Sequence, residues 1–141
     1  MMRNASFAAL MAGLLALPAQ ADIAKNGAWI DYKPGILTER LQAGETLVLN
    51  FKAVWSGTSL DQVAVVNQMK AEQPELVDNV TFIRVDWDTF GRAQVTERRQ
   101  IPRHGTFVVL KGKDELDRLV AETSEDKLRA LLDRALIASG G

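Results

Sequence analysis

Residues 47–59 read Leu-Val-Leu-Asn-Phe-Lys-Ala-Val-Trp-Ser-Gly-Thr-Ser, and no other stretch limits the fold so sharply. Leu47, Val48 and Leu49 are consecutive apolar residues, the pattern of a strand covered on both faces. Such a strand needs a layer on each side. The run breaks at Trp55-Ser56-Gly57, and Ser56, Thr58 and Ser59 are residue types that cap a helix N-terminus. A buried strand passing straight into a capped helix predicts an α/β layer architecture.

The remaining pattern fits that architecture as one domain without repeats. Residues 36–43 are a short helix candidate ended by Gly44. Residues 46–53 are the strand and 58–72 the helix, stopped before Pro74. Leu60, Val63, Ala64 and Met69 are the expected buried stripe of that helix. Residues 80–85 are rich in β-branched types and predict a second strand. Residues 92–100 read as a short polar helix closed by Ile101-Pro102. A hairpin follows: strand 106–110, a turn at 111–114 and strand 115–120. The last helix is capped by Thr123 or Ser124, with Asp126 as a capping-box acid. Leu128, Leu131, Leu132, Ala135 and Leu136 follow its i, i+3, i+4, i+7, i+8 stripe. The order is helix, strand, helix, strand, helix, strand, strand, helix, around a mixed central β-sheet.

The first 21 residues read as a signal peptide rather than as part of the fold. Arg3 supplies a positive start, Phe7 to Leu17 is apolar, and Ala19-Gln20-Ala21 is a small-x-small cleavage site. The apolar stretch is short for a spanning helix. Cleavage before Asp22 leaves residues 22–35 as an N-terminal lead-in and 36–141 as the folded domain. The leader takes only Arg3 from 17 basic residues and none of the 18 acidic ones, leaving a net charge of about −2. That balance gives no electrostatic footprint for nucleic acid or an anionic membrane surface. Exported proteins can hold disulfides, yet this chain of 141 residues has no cysteine. Its core alone must stabilise it.

Trp55-Ser56-Gly57-Thr58-Ser59, placed between strand and helix, resembles the active-site region of the thioredoxin family, Phe-x-Ala-x-Trp-Cys-Gly-x-Cys, with both cysteines written as serine. Thr106-Phe107-Val108-Val109-Leu110-Lys111-Gly112 resembles that family's Pro-Thr-x-x-x-Phe-x-x-Gly segment. Asp86-Trp87-Asp88 ends a strand where the family often carries an acid. The resemblance covers about residues 36–137. It is nearest to the exported thioredoxin-like proteins of bacteria, including the C-terminal domain of the thiol:disulfide interchange reductases. It implies a thioredoxin fold and a periplasmic location. It also implies a binding groove between Trp55, Ser56, Gly57, Thr58 and Ser59 on one side and His104, Gly105 and Thr106 on the other.

Four positions depart from the family. Ser56 and Ser59 stand at the nucleophilic and resolving cysteines, Asn50 at the buried aspartate, and Gly105 at the cis-proline. Pro102 lies three residues too early to serve. A cis bond without proline is costly, so a trans bond or a distorted loop is expected at His104-Gly105.

Thiol exchange needs a thiolate, and a serine hydroxyl can form neither a disulfide nor a mixed disulfide. A redox enzyme is therefore excluded for the chain as written. Ser56, Thr58 and Ser59 remain as helix caps, or as a small polar site for an anion or a peptide carbonyl. The expected function is a redox-inactive, exported module that binds a protein or peptide client, or assists assembly, through the former active-site groove. Main-chain pairing at Gly105-Thr106 is the expected mode. The alternative is a thiol–disulfide oxidoreductase seen as a Cys-to-Ser variant; the retained leader, Asn50 and Gly105 run against it. Ser56 beside His104 raises the thought of a serine hydrolase, but no motif places an acid or an oxyanion hole. One histidine and no cysteine leave little to bind a metal, and no cofactor is implied. Asp86 and Asp88, and the cluster Arg98, Arg99 and Arg103, read as solvated surface.

Overall fold

The computed structural model describes residues 28–140, so the leader and the start of the lead-in, residues 22–27, lie outside the described residues. The chain runs β1 (Ile30–Asp31), α1 (Ile36–Gln42), β2 (Thr46–Lys52), α2 (Gly57–Glu72), α3 (Pro74–Asn79), β3 (Val80–Asp86), α4 (Trp87–Phe90), α5 (Gln94–Glu97), β4 (Thr106–Lys111), β5 (Asp114–Val120) and α6 (Glu125–Ala138). The five strands lie in the order β1-β3-β2-β4-β5. β3 runs parallel to β1 and β2, while β4 is antiparallel to both β2 and β5. This is the mixed sheet expected from the element order, with the 47–49 strand covered on both faces. One edge is a strand of only 2 residues. The other, β5, carries Asp114, Glu115, Asp117 and Arg118. A very short strand and a charged one both discourage edge-to-edge pairing.

Alternation along β2 divides the core into two layers. Val48 points with Phe82, Phe107 and Val109 toward Val66 and Met69 of α2 and Leu128, Leu131, Leu132 and Ala135 of α6. Leu47, Leu49 and Phe51 point the other way, with Ile83, Val85 and Val108, toward Ile36 and Leu37 of α1 and toward Val95 and Ile101. Phe51, Phe82 and Phe107 are fully buried, each contributing roughly 2–3 kcal/mol of apolar transfer.

Four expectations need correction. Pro74 does not merely end α2; it opens α3 from the first turn, where its missing N–H costs nothing. The helix expected at 92–100 is a single turn, α5, and it is preceded by another unexpected turn, α4, to which the Thr96 hydroxyl ties it by donating to the Phe90 carbonyl at 2.6 Å. Of the two caps expected for α6, Ser124 is the one used, but its own N–H goes to the Glu122 carboxylate at 3.0 Å and not to Asp126. Glu122 thus takes the role expected of Asp126. Lastly, the buried face of α2 is Ser59, Gln62, Val66, Met69 and Lys70 rather than Leu60, Val63 and Ala64. The helix is turned by about one residue, because Gln62 is held inward by two hydrogen bonds described below.

Candidate functional site

β2 delivers the chain to the top of the sheet, and Ala53, Val54 and Trp55 carry it into α2. Ser56 takes extended backbone angles, φ −93° and ψ 124°, and its Oγ accepts from the Ser59 N–H at 3.4 Å. That is the N-cap geometry expected of serine here. Ser59 is fully buried, and its Oγ accepts from the Ala53 N–H at 3.3 Å. Both hydroxyls at the positions that resemble the family's cysteines are therefore built into the turn. Neither is set up as a nucleophile: among the described residues no hydrogen bond joins Ser56 to His104, and the buried Nδ1 of His104 has no partner.

The far wall of the expected groove is equally occupied. The His104–Gly105 peptide bond is trans, and the loop bends at Gly105 with φ +77°. The Gly105 N–H donates to the Phe51 carbonyl at 2.7 Å. Its carbonyl accepts from the Ala121 N–H at 2.9 Å and from Gln62 Nε2 at 2.8 Å. Gln62 Nε2 also donates to the Glu122 carbonyl at 2.9 Å. A Cβ at Gly105 would lie 3.4 Å from both Gln62 Oε1 and Thr58 Cγ2. Thr106 is buried in β4 opposite Phe51 and Val120. With both polar groups of Gly105 paired inside the fold, the expected main-chain pairing of a client at Gly105-Thr106 has no free donor or acceptor at Gly105.

What stands open is a side-chain surface. Trp55 is 63 % exposed, Val54 60 % and Leu60 53 %. The Trp55 indole is held rather than loose: its Nε1 donates to Asp88 Oδ1 at 2.9 Å. The His104 ring meets it edge-on, with centroids 4.8 Å apart, and Trp87 approaches His104 from 6.2 Å. Val54 also borders a cleft of about 340 Å³ lined by Asp31, Lys52, Arg84 and Asp86. This cleft sits at the carboxyl ends of the three parallel strands, the customary ligand side of such a sheet.

Asn50 is fully buried on β2, and neither its Oδ1 nor its Nδ2 has a hydrogen-bond partner. Asp86 is not part of a free Asp-x-Asp pair; its carboxylate caps α4 through the Thr89 N–H and hydroxyl, at 3.0 and 2.6 Å. The arginine cluster separates. Arg103 Nε donates to the His104 carbonyl at 3.1 Å, whereas Arg98 and Arg99 face a cleft beside α1 and α5. Among the described residues no three His, Asp or Glu side chains converge as a metal would require, and no helix is long and apolar enough to cross a membrane.

Gln62, the residue that locks α2 to the 105 loop, carried no motif. The one available signal was its i+3 spacing from Ser59, continued by Val66 and Met69. Leu60 was read as part of the buried stripe, and Val54 carried no motif, so neither stood out as a site residue.

No protein-family profile matches the chain. Thioredoxin H5 of Oryza sativa subsp. japonica is 26 % identical over 90 residues, covering 64 % of this chain and 62 % of that protein. The match thus spans less than two thirds of the rice protein's length. Among solved structures, Trxlp from Edwardsiella tarda EIB202 superposes with a TM-score of 0.66 at 20 % identity, over 74 % of this chain and 98 % of that one. The thioredoxin of Malassezia sympodialis gives 0.63 at 22 %, over 78 % and 92 %. The thioredoxin of Fasciola hepatica gives 0.55 at 29 %, over 71 % and 88 %. The chain therefore has the thioredoxin fold and is thioredoxin-like in sequence. It has no cysteine with which to make a Cys-x-x-Cys motif.

Proposed function

We propose that the protein is an exported, redox-inactive thioredoxin-like module that binds a protein client through the exposed side chains around Trp55. The observation that carries this reading is the contrast within one turn. The Ser56 and Ser59 hydroxyls are bonded inward to backbone N–H groups, while Val54, Trp55 and Leu60 remain exposed around them. Asp88 and His104 hold Trp55 in place, which lowers the ordering cost of using it as an anchor. A client segment would lay an apolar side chain against Trp55 and Leu60 and run on toward the cleft beside Val54. The closed backbone of Gly105 directs recognition to side chains instead of strand addition. Export to the periplasm rests on the leader-like residues 1–21 and on the likeness to the interchange-reductase domain.

The test is capture from periplasmic extract by the mature protein, beside a Trp55→Ala, His104→Ala variant checked for folding by circular dichroism. Loss of a central tryptophan anchor is expected to cost about 2 kcal/mol or more, so the captured partner should fall below detection. Equal recovery from both proteins would reject this surface. Export is tested separately: the protein released by osmotic shock should begin at Asp22.

A further inference from the structure

A second cleft, about 460 Å³, lies on the sheet face opposite α2, between α1 and the turn that follows α5. It shares no residue with the Trp55 surface. Leu37 and Val95 give it an apolar floor, and Tyr32, Thr38 and Gln94 add polar side chains to its wall. Arg98 and Arg99 bring two positive charges, and no carboxylate lines it. Neither guanidinium makes a hydrogen bond or an ion pair with a described residue. The acid whose field reaches Arg99 is Glu115, and its carboxylate is already engaged by Arg118 at 2.6 Å. Burial, together with the charge of Arg118, holds the Arg99 guanidinium below the ordinary arginine pKa, although Glu115 partly offsets this.

The turn that carries the two arginines is fixed in advance. Arg118 donates to the Arg99 carbonyl at 2.6 Å and to the Gln100 carbonyl at 3.0 Å. The Gln100 N–H is held by the Glu97 carbonyl and the Ile101 N–H by that of Thr96. Gln100 itself sits at φ +53°, a left-handed conformation uncommon outside glycine, maintained by these surrounding bonds. A strained turn thus presents adjacent unpaired guanidiniums into a concave, half-apolar space of the size that takes small ligands.

We infer that this cleft binds a small organic anion, with a carboxylate or phosphate between Arg98 and Arg99 and an apolar body over Leu37 and Val95. Guanidinium forks match both oxyanions, so their shared chemistry defines the ligand class. The test is amide NMR titration of the full chain with phenyl phosphate, benzoate, inorganic phosphate and neutral benzyl alcohol. Phenyl phosphate or benzoate should bind saturably near about 1 mM or tighter, shifting residues 32–38 and 94–100. Whichever of the two binds more tightly identifies phosphate or carboxylate as the preferred source. Inorganic phosphate should bind more weakly, and benzyl alcohol should not saturate. Arg99→Gln, and separately the more exposed Arg98→Gln, should each weaken binding at least about tenfold, the effect of losing a charged hydrogen bond. Trp55→Ala should leave the affinity unchanged, which separates this site from the proposed client surface. Shifts that do not saturate, that scatter over other basic residues, or that survive both arginine substitutions would overturn the inference.

Discussion

Asn50 stands alone among its neighbours. Its backbone belongs to the middle of the sheet, yet its amide side chain is buried without a partner for either polar atom. A group in that state costs roughly 1–3 kcal/mol relative to a satisfied one. Asn50→Val, which removes both polar atoms and suits a buried strand, should therefore raise stability by about 1–2 kcal/mol. The checking measurement is the urea midpoint at unchanged m-value. The position was legible in the sequence as the place of the family's aspartate. Its unsatisfied state was not, because that depends on what β3, β4 and α2 place around it. Gly105 was marked for the same reason, but its three internal bonds come from a strand, a helix and a turn distant in sequence.

At the scale of elements, α6 and α2 show what a pattern can and cannot settle. In α6 the leucines fall on one stripe with polar residues opposite, so its buried face was readable in full. In α2, Leu60, Val63, Ala64, Val65 and Val66 surround the axis, and several rotations bury a similar apolar area. The choice is made by polar groups: the Ser56 cap fixes the start, and Gln62 pins the face to the Gly105 and Glu122 carbonyls. Leu60 is left outside as a consequence. The same cap geometry predicts the outcome of restoring thiols. Ser56→Cys with Ser59→Cys puts two sulfurs one helical turn apart at a helix start, and they should oxidise to a disulfide, read as the loss of two titratable thiols. Insulin reduction by the pair should remain roughly tenfold or more below that of an authentic thioredoxin, since Asn50 supplies no general acid or base. Activity equal to thioredoxin would show that the rest of the site is intact.

Across the whole molecule, the order of strands and helices was legible because each long element has a clear period or a clear stop. The short pieces were not: α3, α4 and α5 each have 6 residues or fewer and are set by tertiary bonds such as Thr96 to Phe90. One tie joins α2, β3 and the segment just before β1. Lys70 of α2 places its Nζ 4.1 Å from the Trp29 ring and 4.0 Å from the Phe82 ring, while Trp29 Nε1 donates to Asn67. Burial, with repulsion from Arg84, lowers the Lys70 pKa from 10.5 to about 8. The unfolded chain keeps this proton up to about pH 10.5 and the folded chain releases it near pH 8, so this residue's contribution to stability should rise with pH between those values. Urea midpoints at pH 8 and pH 10 should show the rise, and Lys70→Met should flatten it.

Gly105 ties β2, α2 and the turn before α6 together, and it also limits which substitutions the site can accept. A proline ring needs φ near about −65° and has no N–H, whereas this site holds φ +77° and an N–H bonded to Phe51. Two codon changes would place cysteines at 56 and 59; a proline at 105 would require rebuilding the loop, the Gln62 contacts and the Ala121 turn at once. A redox site of the thioredoxin kind could therefore not be assembled on this chain one residue at a time, because this glycine would have to change together with everything bonded to it.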